Sequence, residues 1–192
     1  MTTRAAKRGK LFVVSAPSGA GKSTLCERLL NDDLGLVRSL SVTTRPPRGG
    51  EKEGVDYHFV SKKDFEAMVA RDAFLEREEN FGYFYGTPKR PIEEALEKGK
   101  SALLNIDVKG AMNVRKAYPK ESVLIFILPP SIEVLKKRLA SRNSDTAETI
   151  SARLKFARKE MSYKEKYDYR IVNDKLDTAY KELREIIRRE SR

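Results

Sequence analysis

The most constraining feature of the chain is a glycine-rich loop between a predicted strand and a predicted helix. Residues 15–24 read Ser-Ala-Pro-Ser-Gly-Ala-Gly-Lys-Ser-Thr, after the apolar run 11–14 and before a helical pattern of leucines. This order of elements is that of a phosphate-binding loop, in which backbone N–H groups and a helix N-terminus face an anion. The sequence therefore predicts a nucleotide phosphate site, against the alternative of a glycine-rich turn in an ordinary α/β domain.

Two side chains of the loop suit phosphate chemistry. Lys22 can reach β- and γ-phosphate oxygens, and the Ser23 hydroxyl can ligate Mg²⁺. Gly19 and Gly21 allow conformations and close approaches that a Cβ would block. Ala16 stands where the motif usually has its first glycine, and because alanine is small we expect the turn to survive. The predicted phosphate-loop residues are Ser18, Gly19, Ala20, Gly21, Lys22, Ser23 and Thr24.

Composition limits the class of protein. A chain of 192 residues, 40% hydrophobic and 35% charged, is expected to fold around one substantial core with a well-solvated surface. No apolar run is long enough to span a bilayer, and the basic, polar N-terminus does not resemble a signal peptide. The single cysteine, Cys26, excludes an internal disulfide and a cysteine metal cluster, and we expect it to be buried. These features favour a cytoplasmic protein without a membrane partner.

The net charge of +11 requires a separate interpretation. Basic proteins bind nucleic acids, anionic membranes or small phosphorylated ligands. Here Lys and Arg are interleaved with Asp and Glu, so most are expected on solvated helix faces. No nucleic-acid motif is present, and we expect no nucleic-acid partner; strong salt-dependent binding to DNA or RNA would indicate one.

Strands and helices alternate along the chain, which predicts an α/β fold. Residues 101–106 and 122–128 are apolar throughout, as is typical of buried parallel strands. We therefore expect a P-loop NTPase-like, doubly wound, mostly parallel sheet with a β-rich insert and a helical lid. The expected insert covers residues 38–90 and the lid residues 132–160. The core would then consist of residues 1–37, 91–131 and 161–192.

Three further features indicate where ligands bind. Arg45 and Arg48 lie in a loop rich in proline and glycine, where they could clamp a phosphate or belong to a solvated basic turn. Asp107 ends a buried strand, where a carboxylate could hold Mg²⁺ directly or through water, or cap the next helix. The polar, arginine-bearing segment 132–160 is typical of a mobile lid.

The ordered set of motifs resembles the guanylate kinase family over nearly the whole chain. The matching stretches are 15–24, Ser-Val-Thr-Thr-Arg-Pro-Pro-Arg at 41–48, Gly-Val-Asp-Tyr at 54–57, Phe-Leu-Glu at 74–76, Tyr-Gly-Thr at 85–87, Ile-Asp-Val at 106–108 and Ile-Val-Asn-Asp at 171–174. A phosphate loop alone occurs in many families, whereas this set is specific.

The resemblance implies phosphoryl transfer from ATP, bound on the phosphate loop with Mg²⁺, to GMP, bound on the β-rich insert. It implies that Asn173 contacts adenine and that Ser23 and Asp107 hold the metal. The implied catalytic residues are Lys22, Arg45, Arg138, Arg142 and Arg153. The residues implied at the GMP phosphate are Arg45, Arg48, Tyr57 and Tyr85, and those on the guanine and ribose side are Ser41, Glu76, Thr87 and Asp107.

Three departures from the family pattern and two rival functions remain open. Besides Ala16, Asn105 stands where family members often carry an acid, and Lys109 where they often carry Gln. One rival is a catalytically inactive, guanylate-kinase-like interaction module, which would be expected to lose the phosphate loop. The other is a P-loop kinase for another phosphorylated acceptor; a base-reading pocket around Glu76 argues against it. The sequence leaves a monomer and a homo-oligomer equally open.

Overall fold

The structure is a computed structural model and describes residues 8–80, 82–140 and 147–192. Within these ranges the strands are β1 (Leu11–Ser15), β2 (Val37–Arg38), β3 (Val42–Thr43), β4 (His58–Phe59), β5 (Phe74–Asn80), β6 (Tyr83–Pro88), β7 (Ala102–Asn105), β8 (Ser122–Leu128) and β9 (Tyr169–Val172). The helices are α1 (Lys22–Leu30), α2 (Lys62–Ala70), α3 (Lys89–Glu97), α4 (Val108–Ala117), α5 (Ile132–Ala140), α6 (Ala147–Met161) and α7 (Leu176–Glu190).

The central sheet has the strand order β2-β7-β1-β8-β9, and all its neighbouring strands are parallel. Its middle strand, β1, is fully buried, because successive side chains point to opposite faces and helices cover both. Phe12 and Val14 belong to the core cluster that includes α1 and α7, whereas Leu11 and Val13 belong to the cluster that includes α3 and α4. This arrangement confirms the predicted doubly wound parallel fold.

A second sheet, with the order β4-β3-β6-β5, lies within residues 42–88 and mixes parallel and antiparallel pairs. It has its own small core, in which the rings of Phe65 and Phe74 stack with centroids 4.5 Å apart. The sequence Ser-Lys-Lys-Asp at 61–64 predicts a capping box before α2, and the backbone N–H of Asp64 indeed donates to Ser61 Oγ at 3.1 Å. We call this sheet together with α2 the insert.

One predicted strand is wrong. The sequence suggests a single strand near residues 39–44, but the chain forms two short strands in different sheets. Val37 pairs with Ala102 of the central sheet, whereas Val42 pairs with His58 and Gly86 of the insert. The chain thus leaves the central sheet after β2, which ends one residue inside the expected insert.

Helices α5 and α6 pack on each other through Leu135, Leu139 and Ala157. The sequence predicts that Ser131, after two prolines, caps α5, and its Oγ accepts a hydrogen bond from the Val134 backbone N–H at 3.2 Å. Cys26 is buried, as the sequence predicts. Within the described ranges, no helix is both long and apolar enough to cross a membrane.

Candidate active site

The loop between β1 and α1 has the shape of an anion cradle. Gly21 is the N-cap of α1 with φ of 89°, and it brings no side chain over the first N–H groups of the helix. A Cβ on Gly21 would lie 2.3 Å from Asn173 Nδ2. Gly19 has φ of 90°, and a Cβ there would meet Leu135 and Leu139 at 3.1 Å. The fold of the loop therefore requires both glycines.

Asn173 supports this loop from the end of β9. Its side chain is buried, and Nδ2 donates a hydrogen bond to the carbonyl oxygen of Ala20 at 2.8 Å. The amide nitrogen therefore holds the loop, and the expected contact with adenine stays a prediction. Ala16 is buried in the core and does not have a positive φ, so the loop does not need glycine at that position.

The loop brings a cation and two hydroxyls to the start of α1. Lys22 Nζ donates a hydrogen bond to the carbonyl oxygen of Ile106, just beyond β7, at 2.9 Å. Burial lowers the pKa of Lys22, and the neighbouring Glu160 and Asp107 act in the opposite direction. Ser23 and Thr24 are exposed, and the first turn of α1 contains no acidic residue. This end of the helix is suited to a polyphosphate.

Asp107 has the structural role that was the alternative to metal binding. Its Oδ1 accepts hydrogen bonds from the backbone N–H groups of Lys109 and Gly110 at 3.0 and 2.8 Å, which caps α4. Its Oδ2 accepts one from Asn80 Nδ2 at 3.0 Å, which links it to the insert. These bonds leave acceptor capacity for a metal-bound water, and a metal role stays a prediction.

The insert brings together the four residues predicted to hold the GMP phosphate. Arg45 is buried; its Nε donates to the Tyr85 hydroxyl at 3.2 Å and its NH2 to Glu51 Oε1 at 2.9 Å. The ring of Tyr57 lies 5.6 Å from the Arg45 guanidinium carbon. The backbone N–H of Arg48 donates to the second oxygen of Glu51 at 2.8 Å. The structure thus brings Arg45, Arg48, Tyr57 and Tyr85 together.

Sequence reasoning missed Glu51. The hydrogen bond from Arg45 is the main reason that the pKa of Glu51 is lowered, so this carboxylate is charged and orients the guanidinium. The sequence contained one signal, because Gly49 and Gly50, between Arg48 and Glu51, favour a turn. In the structure the Glu51 N–H donates to the Arg48 carbonyl oxygen at 3.0 Å and closes that turn. Such a turn returns the carboxylate to the arginines.

Glu76 and Thr87 form a second cluster, where the insert meets the central sheet. They are paired across β5 and β6, and the Thr87 hydroxyl donates to Glu76 Oε1 at 2.6 Å. Glu76 is 8% exposed, and a Cβ on Gly110 would lie 2.6 Å from its other oxygen. Burial raises the pKa of Glu76 to about 7, the hydrogen bond from Thr87 acts in the opposite direction, and Asp107 raises it further. This buried carboxylate is available to a ligand that donates hydrogen bonds.

Ser41 directly precedes Val42, which pairs with Gly86, the residue before Thr87. Ser41 also lines a cavity of about 160 Å³ between α1 and the insert, together with Ser23, Tyr57, Glu51 and Asn105. The cavity thus joins a phosphate-loop hydroxyl to the arginine–tyrosine cluster. A larger groove of about 340 Å³ lies between α2 and β5 and contains none of the predicted ligands.

The lid arginines are placed only in part. Arg138 of α5 donates to the carbonyl oxygen of Asn173 at 3.0 Å, beside the phosphate loop. Arg153 is half-buried on α6. Arg142 lies outside the described residues. Among the residues that the structure describes, no group of three His, Cys, Asp or Glu side chains could hold a metal ion.

Comparison with known proteins agrees with this geometry. The family model "Guanylate kinase" matches residues 8–190. The guanylate kinase of Clostridium perfringens (strain 13 / Type A) is 47% identical over 180 residues, which are 94% of this chain and 83% of the relative. That of Caulobacter vibrioides is 50% identical over 179 residues, 93% of this chain and 84% of the relative.

A crystal structure of guanylate kinase from Anaplasma phagocytophilum superposes with a TM-score of 0.80 at 38% identity, covering 96% of this chain and 87% of that one. The similarity therefore extends over both sheets and nearly the whole sequence. The chain belongs to the guanylate kinase family.

Proposed function

We propose that this protein transfers the γ-phosphoryl group of ATP to GMP, giving ADP and GDP, in the cytoplasm. The observation that carries the proposal is the pair of separate anion sites, the phosphate loop on the central sheet and the arginine–tyrosine cluster on the insert. Such a pair suits two phosphorylated substrates, and family membership supports the choice of ATP and GMP.

ATP would bind with its phosphates on the loop 18–24. Backbone N–H groups and the N-terminus of α1 would hold the β-phosphate, and Lys22 would exchange its bond to Ile106 for phosphate oxygens. Ser23 would hold Mg²⁺, with Asp107 acting through a water. When bound, Mg²⁺ neutralises charge on the transferring group.

GMP would bind on the insert. Arg45, held by Glu51, and Arg48, Tyr57 and Tyr85 would bind its phosphate. Glu76 would accept hydrogen bonds from the N1–H and 2-amino groups of guanine, since one carboxylate can accept two adjacent donors. Ser41 and Thr87 would complete the pocket.

Catalysis would consist of positioning and charge neutralisation. The two anions repel each other in water, so cationic groups must hold them in line while water is excluded as a competing acceptor. We assign this role to Lys22, Arg45 and the lid arginines Arg138, Arg142 and Arg153. In this proposal residues 38–90 form the GMP-binding insert and residues 132–160 the lid.

A coupled assay of ATP with a panel of nucleoside monophosphates tests the proposal. We expect ADP formation that depends on GMP and Mg²⁺, with GMP greatly preferred over AMP, CMP and UMP. If no ADP forms with any of these acceptors, the result would favour a catalytically inactive interaction module. Turnover with a different acceptor would favour another P-loop kinase.

A further inference from the structure

Gly110 is a buried glycine in α4, at a place where the backbone does not require one. Its φ is not positive, and alanine is favoured over glycine within a helix. A Cβ at this position would lie 2.6 Å from Glu76 Oε2 and 3.2 Å from Glu76 Cδ. Favourable van der Waals contacts between carbon atoms lie at about 3.5–4.0 Å. The side chain that Gly110 lacks would therefore occupy the space of the Glu76 carboxylate.

The same carboxylate is also held from β6. The Thr87 hydroxyl is buried and donates a hydrogen bond to Glu76 Oε1 at 2.6 Å. Glu76 is itself buried, so few other positions are open to its carboxylate. Because one oxygen is bonded to Thr87 and the other lies against Gly110, these two residues together determine where the carboxylate lies.

Strand β5 is joined to α4 at a second point, which keeps the strand from moving away from the helix. Glu78 lies two residues after Glu76 and therefore on the same face of β5. Asn113 Nδ2 donates a hydrogen bond to Glu78 Oε1 at 2.8 Å, and Lys109 Nζ lies 3.8 Å from the other Glu78 oxygen. A methyl group on Gly110 would therefore displace the Glu76 carboxylate, because that group can rotate without any movement of the backbone.

We propose that Gly110 is a positioning residue that determines base specificity, because it leaves the space in which the Glu76 carboxylate lies. The inference rests on the proposed function, which assigns guanine recognition to Glu76. Both guanine donors need a carboxylate oxygen at about 2.7–3.2 Å. A carboxylate displaced by about 1 Å would lose that geometry, and displacements of this size cost up to about 100-fold in rate.

The test is Gly110→Ala, with Lys116→Ala, an exposed residue of the same helix, as its control. We expect Gly110→Ala to lower kcat/KM for GMP about 100-fold. The small kcat/KM for AMP should change less than about twofold, because adenine does not use both carboxylate oxygens, so the preference for GMP falls about 100-fold as well. KM for ATP should stay within about twofold of the parent, since ATP binds elsewhere. Lys116→Ala should match the parent in all of these.

A double-mutant cycle separates this role from a general structural one. Glu76→Ala removes the carboxylate that the new methyl group would meet. In that background Gly110→Ala should change kcat/KM for GMP less than about twofold. Urea unfolding should show the same coupling. Gly110→Ala should raise the unfolding midpoint more in the Glu76→Ala background than in the parent, because alanine is the better helix former and there meets no carboxylate.

The outcomes distinguish this inference from the proposed function. If the parent phosphorylates GMP and Gly110→Ala keeps kcat/KM within about twofold, or loses as much in the Glu76→Ala background, the positioning role is wrong and the proposed function stands. If the parent does not phosphorylate GMP, the proposed function fails, and the unfolding cycle decides whether Gly110 positions Glu76. An equal change of midpoint in both backgrounds would then overturn the inference. If Gly110→Ala does not fold by itself, the double variant should fold, and failure of both would overturn the inference as well.

Discussion

The two proposed anion sites of this protein are built in different ways. The phosphate loop is a run of consecutive residues that offers mainly backbone N–H groups and whose shape depends on two glycines with positive φ. The insert site is made of side chains, with Arg45, Glu51, Tyr57 and Tyr85 brought together from distant positions in the sequence. The first site therefore depends on local conformation, and the second on correct pairing of the insert strands.

This difference determines which residues each site tolerates. A site made of backbone groups accepts substitutions that preserve φ and fit the space, as Ala16 shows. A site made of side chains loses a ligand with nearly every substitution. The following predictions test that contrast.

The largest effect is expected for Lys22→Ala, at the one side chain of the phosphate loop that acts as a cation. Its ammonium would neutralise charge on the transferring phosphoryl group, and loss of such a group costs about 10²–10³ in kcat or more. The measurement is kcat for GMP phosphorylation, with Lys181→Ala, an exposed lysine on α7, as control. A folded Lys22→Ala variant with the parent kcat would show that the loop does not bind the transferred phosphate.

Glu76→Gln is expected to have the next largest effect. The parent should prefer GMP over AMP by about 10⁴ or more in kcat/KM, because adenine has no N1–H donor and leaves the buried carboxylate unpaired. The Gln side chain replaces one acceptor oxygen by an NH₂ donor, which faces one of the two guanine donors and cannot accept its hydrogen bond. We therefore expect kcat/KM for GMP to fall about 10²–10³. Glu79→Gln, exposed on the same strand, is the matched control. Equal efficiency of GMP and AMP in the parent would remove Glu76 from the base site.

Sequence reasoning succeeded where local chemistry determines structure. The phosphate loop, the apolar strands β7 and β8, and the Ser61 capping box all follow from short-range patterns. It did less well where long-range packing decides. The switch between sheets after β2 depends on the pairing of Val37 with Ala102, which composition does not show.

The residue of the site that sequence reasoning missed has the same cause. Glu51 is one of many acidic residues in the chain, and it has a role because the fold brings it to Arg45. Burial within α6 is equally hard to predict, because Glu160 lies in a charged helix, where an acidic residue is usually solvated, and yet is only 6% exposed.

GMP binding should depend on pH through Glu76. Because burial, reinforced by Asp107 and Glu78 and opposed by Thr87, raises the pKa of Glu76 to about 7, the free protein is increasingly protonated below that value. Only the ionised form accepts both guanine donors, so KM for GMP should rise about tenfold from pH 8 to pH 6. The GMP phosphate also titrates, near pH 6. Glu76→Gln should retain only the pH dependence that comes from the GMP phosphate. An identical pH profile of KM in both proteins would contradict the assignment.

The smallest effect is expected for Ala16→Gly, which restores the usual motif. Because Ala16 does not have a positive φ, glycine gains nothing there, and kcat and KM should stay within about twofold of the parent. Stability should fall instead, by about 1–2 kcal/mol, since a buried methyl group is lost and the unfolded chain gains freedom. Urea unfolding measures this loss, and Ala179→Gly, at an equally buried alanine of α7, should lose a similar amount without any change in kcat. A tenfold gain in kcat for Ala16→Gly would mean that the first position of the loop needs glycine for full activity. A site made of backbone groups would then tolerate substitution no better than a site made of side chains.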